Sequence, residues 1–147
     1  MQNNDKLLRR VLNKAEQIRQ AVNKSHLFPN DLAGACGVSS LKLFMYGRKN
    51  NLPIFFGYKP DYHCFNFFGD YVIDITAAQF LDIYRDKVAF LEKEKAEKHS
   101  WWSKTMCAKN LRDFKTLDKE VIEFSLWSHQ NPYIYSWDES KNTLQLK

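Results

Sequence analysis

The chain has 147 residues, 44% hydrophobic and 15% aromatic, with a formal net charge of +5 and a pI near 9.1. That is enough for one domain with its own core, so a single domain over 1–147 is expected. No apolar run approaches the roughly 20 residues of a membrane span, and the charge excess supports only weak attraction to anionic surfaces.

Residues 5–24, DKLLRRVLNKAEQIRQAVNK, place Leu7, Leu8, Val11, Leu12, Ala15, Ile18 and Val22 on one side at spacings of three and four. This predicts an amphipathic helix whose basic residues form a solvated face. The start, MQNNDKLLRRVLNK, has no apolar h-region. A secretory signal is not expected, and the expected location is cytoplasmic, with delivery into another cell left open. Residues 25–35, with Pro29, Asn30, Asp31 and Gly34, read as an irregular connection. Helical spacing resumes at Cys36 in CGVSSLKLFMYGRKN, which puts Cys36 at a helix N-terminus and lets Gly47 loosen the far end.

Three short runs rich in β formers follow: LPIFFGY (52–58), HCFNFF (63–68) and YVIDIT (71–76). Gly69-Asp70 fits a two-residue type II′ turn with glycine first. Beyond Thr76, a reasonable N-cap, the charged segment AAQFLDIYRDKVAFLEKEKAEKHSWW reads as helical. A further helix is predicted over 116–128, and a last hairpin in YIYSWDESKNTLQL turns around Glu139–Asn142.

Taking Gly69-Asp70 as the turn, opposed residues sum to 139, so His63 faces Thr76, Phe65 faces Asp74 and Phe67 faces Val72. Opposed residues share a face, which makes His63 and Asp74 diagonal neighbours at roughly 7–8 Å between Cα atoms. A carboxylate on one ring nitrogen fixes the orientation of an imidazole and stabilises its charged form. The nucleophile for the other nitrogen is Cys36, whose thiolate a helix N-terminus and an imidazolium both favour. Cys36, His63 and Asp74 thus suit nucleophilic catalysis. Each alone has a plainer reading: a buried small hydrophobe, a structural histidine, an exposed carboxylate.

Cys64 alternates to the other face of its strand and reads as core. Cys107 has no evident partner, and His26, His99 and His129 read as surface. Cys36, His63, Cys64 and Cys107 match no common zinc spacing, so neither a metal nor another cofactor is expected. Phe55, Phe56, Tyr58, Tyr62 and Phe65 can line a cleft, but large apolar residues more often fill a core.

The order and setting of these residues resemble the papain-like fold, most closely its transglutaminase-like branch. The resemblance is carried by Cys36 in LAGACGVSSLKLF, His63 in HCFNFF and Asp74 in YVIDITAAQF, over about residues 30–80. It implies an α+β fold with N-terminal helices packed on a small antiparallel sheet. It also implies a thiol-dependent acyl-transfer enzyme acting on amides: a cysteine protease, glutamine deamidase or transamidase with a Cys-His-Asp triad, looking like small bacterial, effector-like members. Asn30, six residues before Cys36 where papain-like proteases carry a glutamine, is the oxyanion-hole candidate. Gln79 reads as serving its own helix. The position two residues after the histidine, often tryptophan in such proteins, is Phe65, and the cysteine is followed by Gly37 rather than an aromatic.

The implied partner is a protein or peptide substrate, with no specific nucleic acid. The rival reading is a non-catalytic binding module on the same scaffold, using its basic N-terminal helix against an acidic partner. Weak nucleic-acid binding through basic surface is a third. A catalytic Cys36 is expected to be exposed and acidic, a scaffold cysteine buried and inert.

Overall fold

The computed structural model describes residues 2–24, 32, 35–59, 63–110, 112–113, 135–138 and 143–146. The expected helix is α1, Gln2–Lys24, with Asp5 in its first turn and Lys24 in its last, each favourable to the helix dipole. Val11, Ala15, Ile18 and Val22 are its buried stripe, and they join Val38 and Leu43 in one cluster. The basic face is largely solvated, but Arg10 also ties the helix to its neighbour. Its guanidinium donates to Tyr46 Oη at 2.9 Å and Asn50 Oδ1 at 2.7 Å.

α2, Cys36–Lys49, is buried on most of its circumference, as a helix between α1 and a sheet must be. Gly47 does not loosen it. A Cβ at Gly47 would lie 2.7 Å from Ile54 Cβ, so the glycine admits the incoming first strand. The helix ends two residues later in a Schellman motif. Asn51 adopts φ +54°, Leu52 N–H donates to Gly47 O, and Asn51 N–H to Arg48 O.

The sheet has five antiparallel strands in the order β4-β3-β2-β1-β5: β1 Ile54–Lys59, β2 His63–Phe68, β3 Tyr71–Asp74, β4 Ala89–Glu92 and β5 Met106–Ala108. The β2–β3 register is the one read from the sequence, with Asn66 opposite Ile73, Phe67 opposite Val72 and Phe68 opposite Tyr71. Gly69 has φ +58°, while Asp70 stays out of the positive-φ region, as a glycine-first II′ turn requires.

The segment after Thr76 departs from the helical expectation. It forms two short 3-10 turns, Ala77–Gln79 and Asp82–Tyr84, then β4 and a four-residue helix α3, Lys93–Ala96. Pairing decides this: β3 offers an open edge, and β4 takes it while burying Val88 and Ala89. The helix-forming charges of EKEKAEK hold only one turn against that gain. Thr76 makes no side-chain cap. β5 was not anticipated; it carries Cys107 opposite Gly57. The last hairpin forms as expected, with β6 Tyr135–Asp138 pairing β7 Thr143–Leu146. The turn 139–142 and the expected helix 116–128 lie outside the described residues.

The sheet separates two apolar layers. On the helical side lie Ile54, Phe56, Tyr58, Cys64 and Ile73. On the other, Phe65, Phe67 and Val72 pack with Ala77, Ala89, Ala96 and Trp102. Gly57 belongs to this second side. A Cβ there would stand 2.9 Å from the rings of Phe65 and Phe67, so only glycine lets them lie flat across β1. The fold is mixed α+β, with N-terminal helices on a small open antiparallel sheet. No helix among the described residues is long and apolar enough to cross a membrane.

Candidate active site

The α2 start and the β2 start meet at one corner of the sheet. Leu32, buried and at φ +62°, accepts from Ala35 N–H at 3.0 Å, and this turn launches α2 with Cys36 as its first residue. His63 opens β2 beyond the last β2–β3 ladder pair, and Asp74 closes β3. Cys36, on the helical side, therefore reaches a histidine whose ring belongs to the opposite layer. Its sulfur is hydrogen-bonded to the His63 ring.

His63 Nε2–H donates to Asp74 Oδ2 at 2.5 Å, and both side chains are wholly buried. Nε2 being taken, Nδ1 is the nitrogen left for the cysteine. Asp74 accepts three further contacts: Thr76 N–H at 3.0 Å and Thr76 Oγ1 at 3.4 Å on Oδ1, and Trp102 Nε1–H at 2.7 Å on Oδ2. A buried carboxylate is tolerable only when its oxygens are occupied in this way.

Electrostatics pair the thiol with the imidazole. Cys36 lies well below its ordinary 9.0, held down first by a hydrogen bond from the Cys64 thiol, against the opposing effect of burial, and then by His63's hydrogen bond and charge and the Cys64 backbone N–H. Burial opposes the charge on His63. The Asp74 charge and hydrogen bond, with the Cys36 sulfur, outweigh it and raise His63 from 6.5 to about 10. Both shifts favour the thiolate and imidazolium forms of the pair.

Aromatic rings close over the histidine. Phe65 stacks on it at 5.9 Å, Phe80 meets it edge-on at 4.7 Å, and Trp101 stacks on Phe80 at 5.0 Å. Cys36 is 3% exposed, His63 1% and Asp74 0%. The thiol is thus acidic as a catalytic cysteine should be, but it is not exposed as expected.

Several assignments change. Gln79 does more than serve its own turn: Nε2 donates to Thr76 Oγ1 at 2.9 Å and stands 3.5 Å from His63 Nδ1. His99 is half-buried, stacked on Trp101 and edge-on to Trp102, rather than surface. Phe56, Tyr58 and Phe65 are core, in keeping with the more frequent place of large apolar residues. Asn30, Tyr62, His26 and His129 lie outside the described residues. Trp102 was missed, although an indole N–H in an apolar stretch is a buried donor in need of an acceptor.

Among the described residues no three His, Cys, Asp or Glu side chains converge in metal-holding geometry. The open groove lined by Asp70, Tyr71, Glu92, Lys93, Glu94 and Glu97 lies at the turn end of the hairpin and includes none of Cys36, His63 and Asp74. Comparison with protein families, with curated proteins and with solved structures returned no match.

Proposed function

We propose that the chain is a thiol-dependent acyl-transfer enzyme acting on amide bonds, on a papain-like, transglutaminase-like arrangement. The observation that carries this reading is the buried His63, hydrogen-bonded on one side to the Cys36 sulfur and on the other to the Asp74 carboxylate. Two partnered ring nitrogens would satisfy any buried histidine; what supports the reading is that these partners, an acidified thiol and a carboxylate, both favour its charged form.

In the proposed reaction the Cys36 thiolate attacks the carbonyl carbon and His63 gives its proton to the leaving amine. The thioester is then released to water, or to an acceptor amine, with His63 taking the proton back. Asp74 holds the ring and stabilises its charge. The oxyanion needs donors. The backbone N–H of Cys36 is one candidate, since a first-turn N–H has no acceptor within its helix.

The test is incubation of the purified protein with a broad protein mixture, following ammonia, new N-termini and incorporation of a labelled amine. At least one product is expected, and it should vanish in Cys36→Ala. No Cys36-dependent product in any of the three assays would sink the proposal. The burial of Cys36 favours the second reading, a non-catalytic protein-binding module. That reading predicts the null result, together with a thiol that ordinary alkylating reagents do not reach.

A further inference from the structure

Cys64 is the residue after His63, so its side chain points to the helical side of β2, where Cys36 starts α2. The two cysteines share one buried cluster with Leu41, Phe44, Phe56 and Tyr58. They are in contact: the Cys36 sulfur accepts from both the Cys64 thiol and the Cys64 backbone N–H. Cys107 cannot substitute. It lies opposite Gly57 on β5, whereas Cys64 lies opposite Tyr58, so the two point to different faces of the sheet. The Cys64 thiol helps to acidify the candidate nucleophile, and the same placement opens a second chemistry to the pair.

We propose that Cys36 and Cys64 form a peroxide-responsive pair, oxidised by hydrogen peroxide to an intramolecular disulfide that caps the candidate nucleophile. The Cys36 thiolate attacks one peroxide oxygen. An S–O bond forms, the O–O bond breaks, and the departing hydroxide takes the His63 proton to leave as water. The Cys64 thiol then attacks the Cys36 sulfur. The S–S bond forms, the S–O bond breaks, and the hydroxyl leaves with the Cys64 proton as a second water. The two sulfurs give up two electrons and the peroxide is reduced to water. A thiolate of low pKa beside a resolving thiol is the arrangement that stops at the reversible disulfide instead of proceeding to sulfinic acid.

Burial selects the oxidant. With Cys36 3% exposed and Cys64 0%, a molecule little larger than water is favoured over glutathione disulfide. The inference goes beyond the acyl-transfer reading. It needs the thiolate, not a substrate, so a protein inactive on every amide can still form the bond.

The experiment treats the full chain with hydrogen peroxide in the presence and absence of dimedone, then maps unreduced peptides by mass spectrometry. The expected product joins the Cys36 peptide to the Cys64 peptide within one chain, with the loss of two hydrogens, and dithiothreitol reverses it. In Cys64→Ala the same treatment should turn Cys36 into a dimedone adduct, or without dimedone into sulfinic acid that dithiothreitol leaves unchanged. Should that variant fail to fold, Cys36→Ser serves: peroxide should then leave Cys64 unoxidised. The proposal is overturned if wild-type Cys36 accumulates as dimedone adduct or sulfinic acid without the Cys64 link, pairs with Cys107, or stays reduced.

Discussion

Two cysteines of this chain, one at the start of α2 and one on the edge strand β5, behave in opposite ways. Cys107 sits exposed on the edge strand β5, and its thiol lies above the ordinary value because partial desolvation outweighs Lys109 and Lys93, with Asp113 adding to the rise. Cys36 is almost wholly buried, and its thiol lies below that value. Burial alone raises a thiol, so the more buried one should be the less acidic. The order is reversed because Cys36 is met by donors, Cys64 and a charged His63, while Lys109, Lys93 and Asp113 act on Cys107 through their charges alone. Acidity here measures the hydrogen-bonding company of the sulfur, not its exposure.

The largest expected loss comes from removing the group that holds that company in place. Asp74→Ala leaves the His63 Nε2–H, the Trp102 Nε1–H and the Thr76 N–H facing a void. Breaking a buried charge pair from one side costs about 3–5 kcal/mol. Urea unfolding should show a loss of that size, and a loss under about 1 kcal/mol would mean the carboxylate is not holding the corner together. His63→Ala strikes the comparison directly. Alkylation of Cys36 at pH 6 should fall about 10- to 100-fold, as expected for losing a neighbouring opposite charge, while Cys107 in the same sample keeps its rate. An equal fall at both cysteines would point to a global change in accessibility.

The pair also shapes stability against pH. His63 is raised to about 10, so its contribution is complete below the unfolded value of 6.5 and is lost as pH rises through about 10. Cys36 is lowered, so its contribution is complete above the unfolded value of 9.0 and is lost as pH falls through its folded value. A Cys36 thiol lowered past 6.5 leaves one proton on the folded pair and one on the unfolded pair between 6.5 and 9.0, and the two slopes then cancel. The pair's own contribution to the unfolding free energy should then be flat across that interval and decline on both sides, and no decline on the acid side would mean that Cys36 is lowered less far. The Cys36→Ala, His63→Ala double variant should lack the part of the decline due to this pair. Trp102→Phe keeps the ring and removes one donor to a buried carboxylate, for a loss of about 1.5–3 kcal/mol in the same unfolding experiment.

The sequence was most legible where local rules and the tertiary result agree. The α1 stripe, the start of α2 at Cys36 and the β2–β3 register are all short-range consequences of spacing and of Gly69. The register alone placed His63 beside Asp74. It failed where partners come from far along the chain. β4 forms because β3 offers an edge, which no local pattern in KVAFLEKEK reveals. Trp102 completes Asp74 from 28 residues away. Cys64 was read correctly as facing the core, but that its core neighbour is Cys36 depends on where α2 docks on β2, which spacing does not give.

Gln79 is the smallest and sharpest probe of the comparison. Its amide lies near both halves of the site, 2.9 Å from Thr76 Oγ1 and 3.5 Å from His63 Nδ1. The first is a good hydrogen bond and the second sits at the limit of one. Gln79→Met keeps the length of the side chain and removes the amide. If the amide only braces Thr76, stability drops by about 0.5–1.5 kcal/mol, the net worth of one hydrogen bond, and the pH profile of Cys36 alkylation does not move. If the profile shifts toward that of His63→Ala, Gln79 joins the groups that set the charge on the imidazole. The acidity of Cys36 would then depend, beyond His63 and Cys64, on a residue held by the 3-10 turn that follows β3.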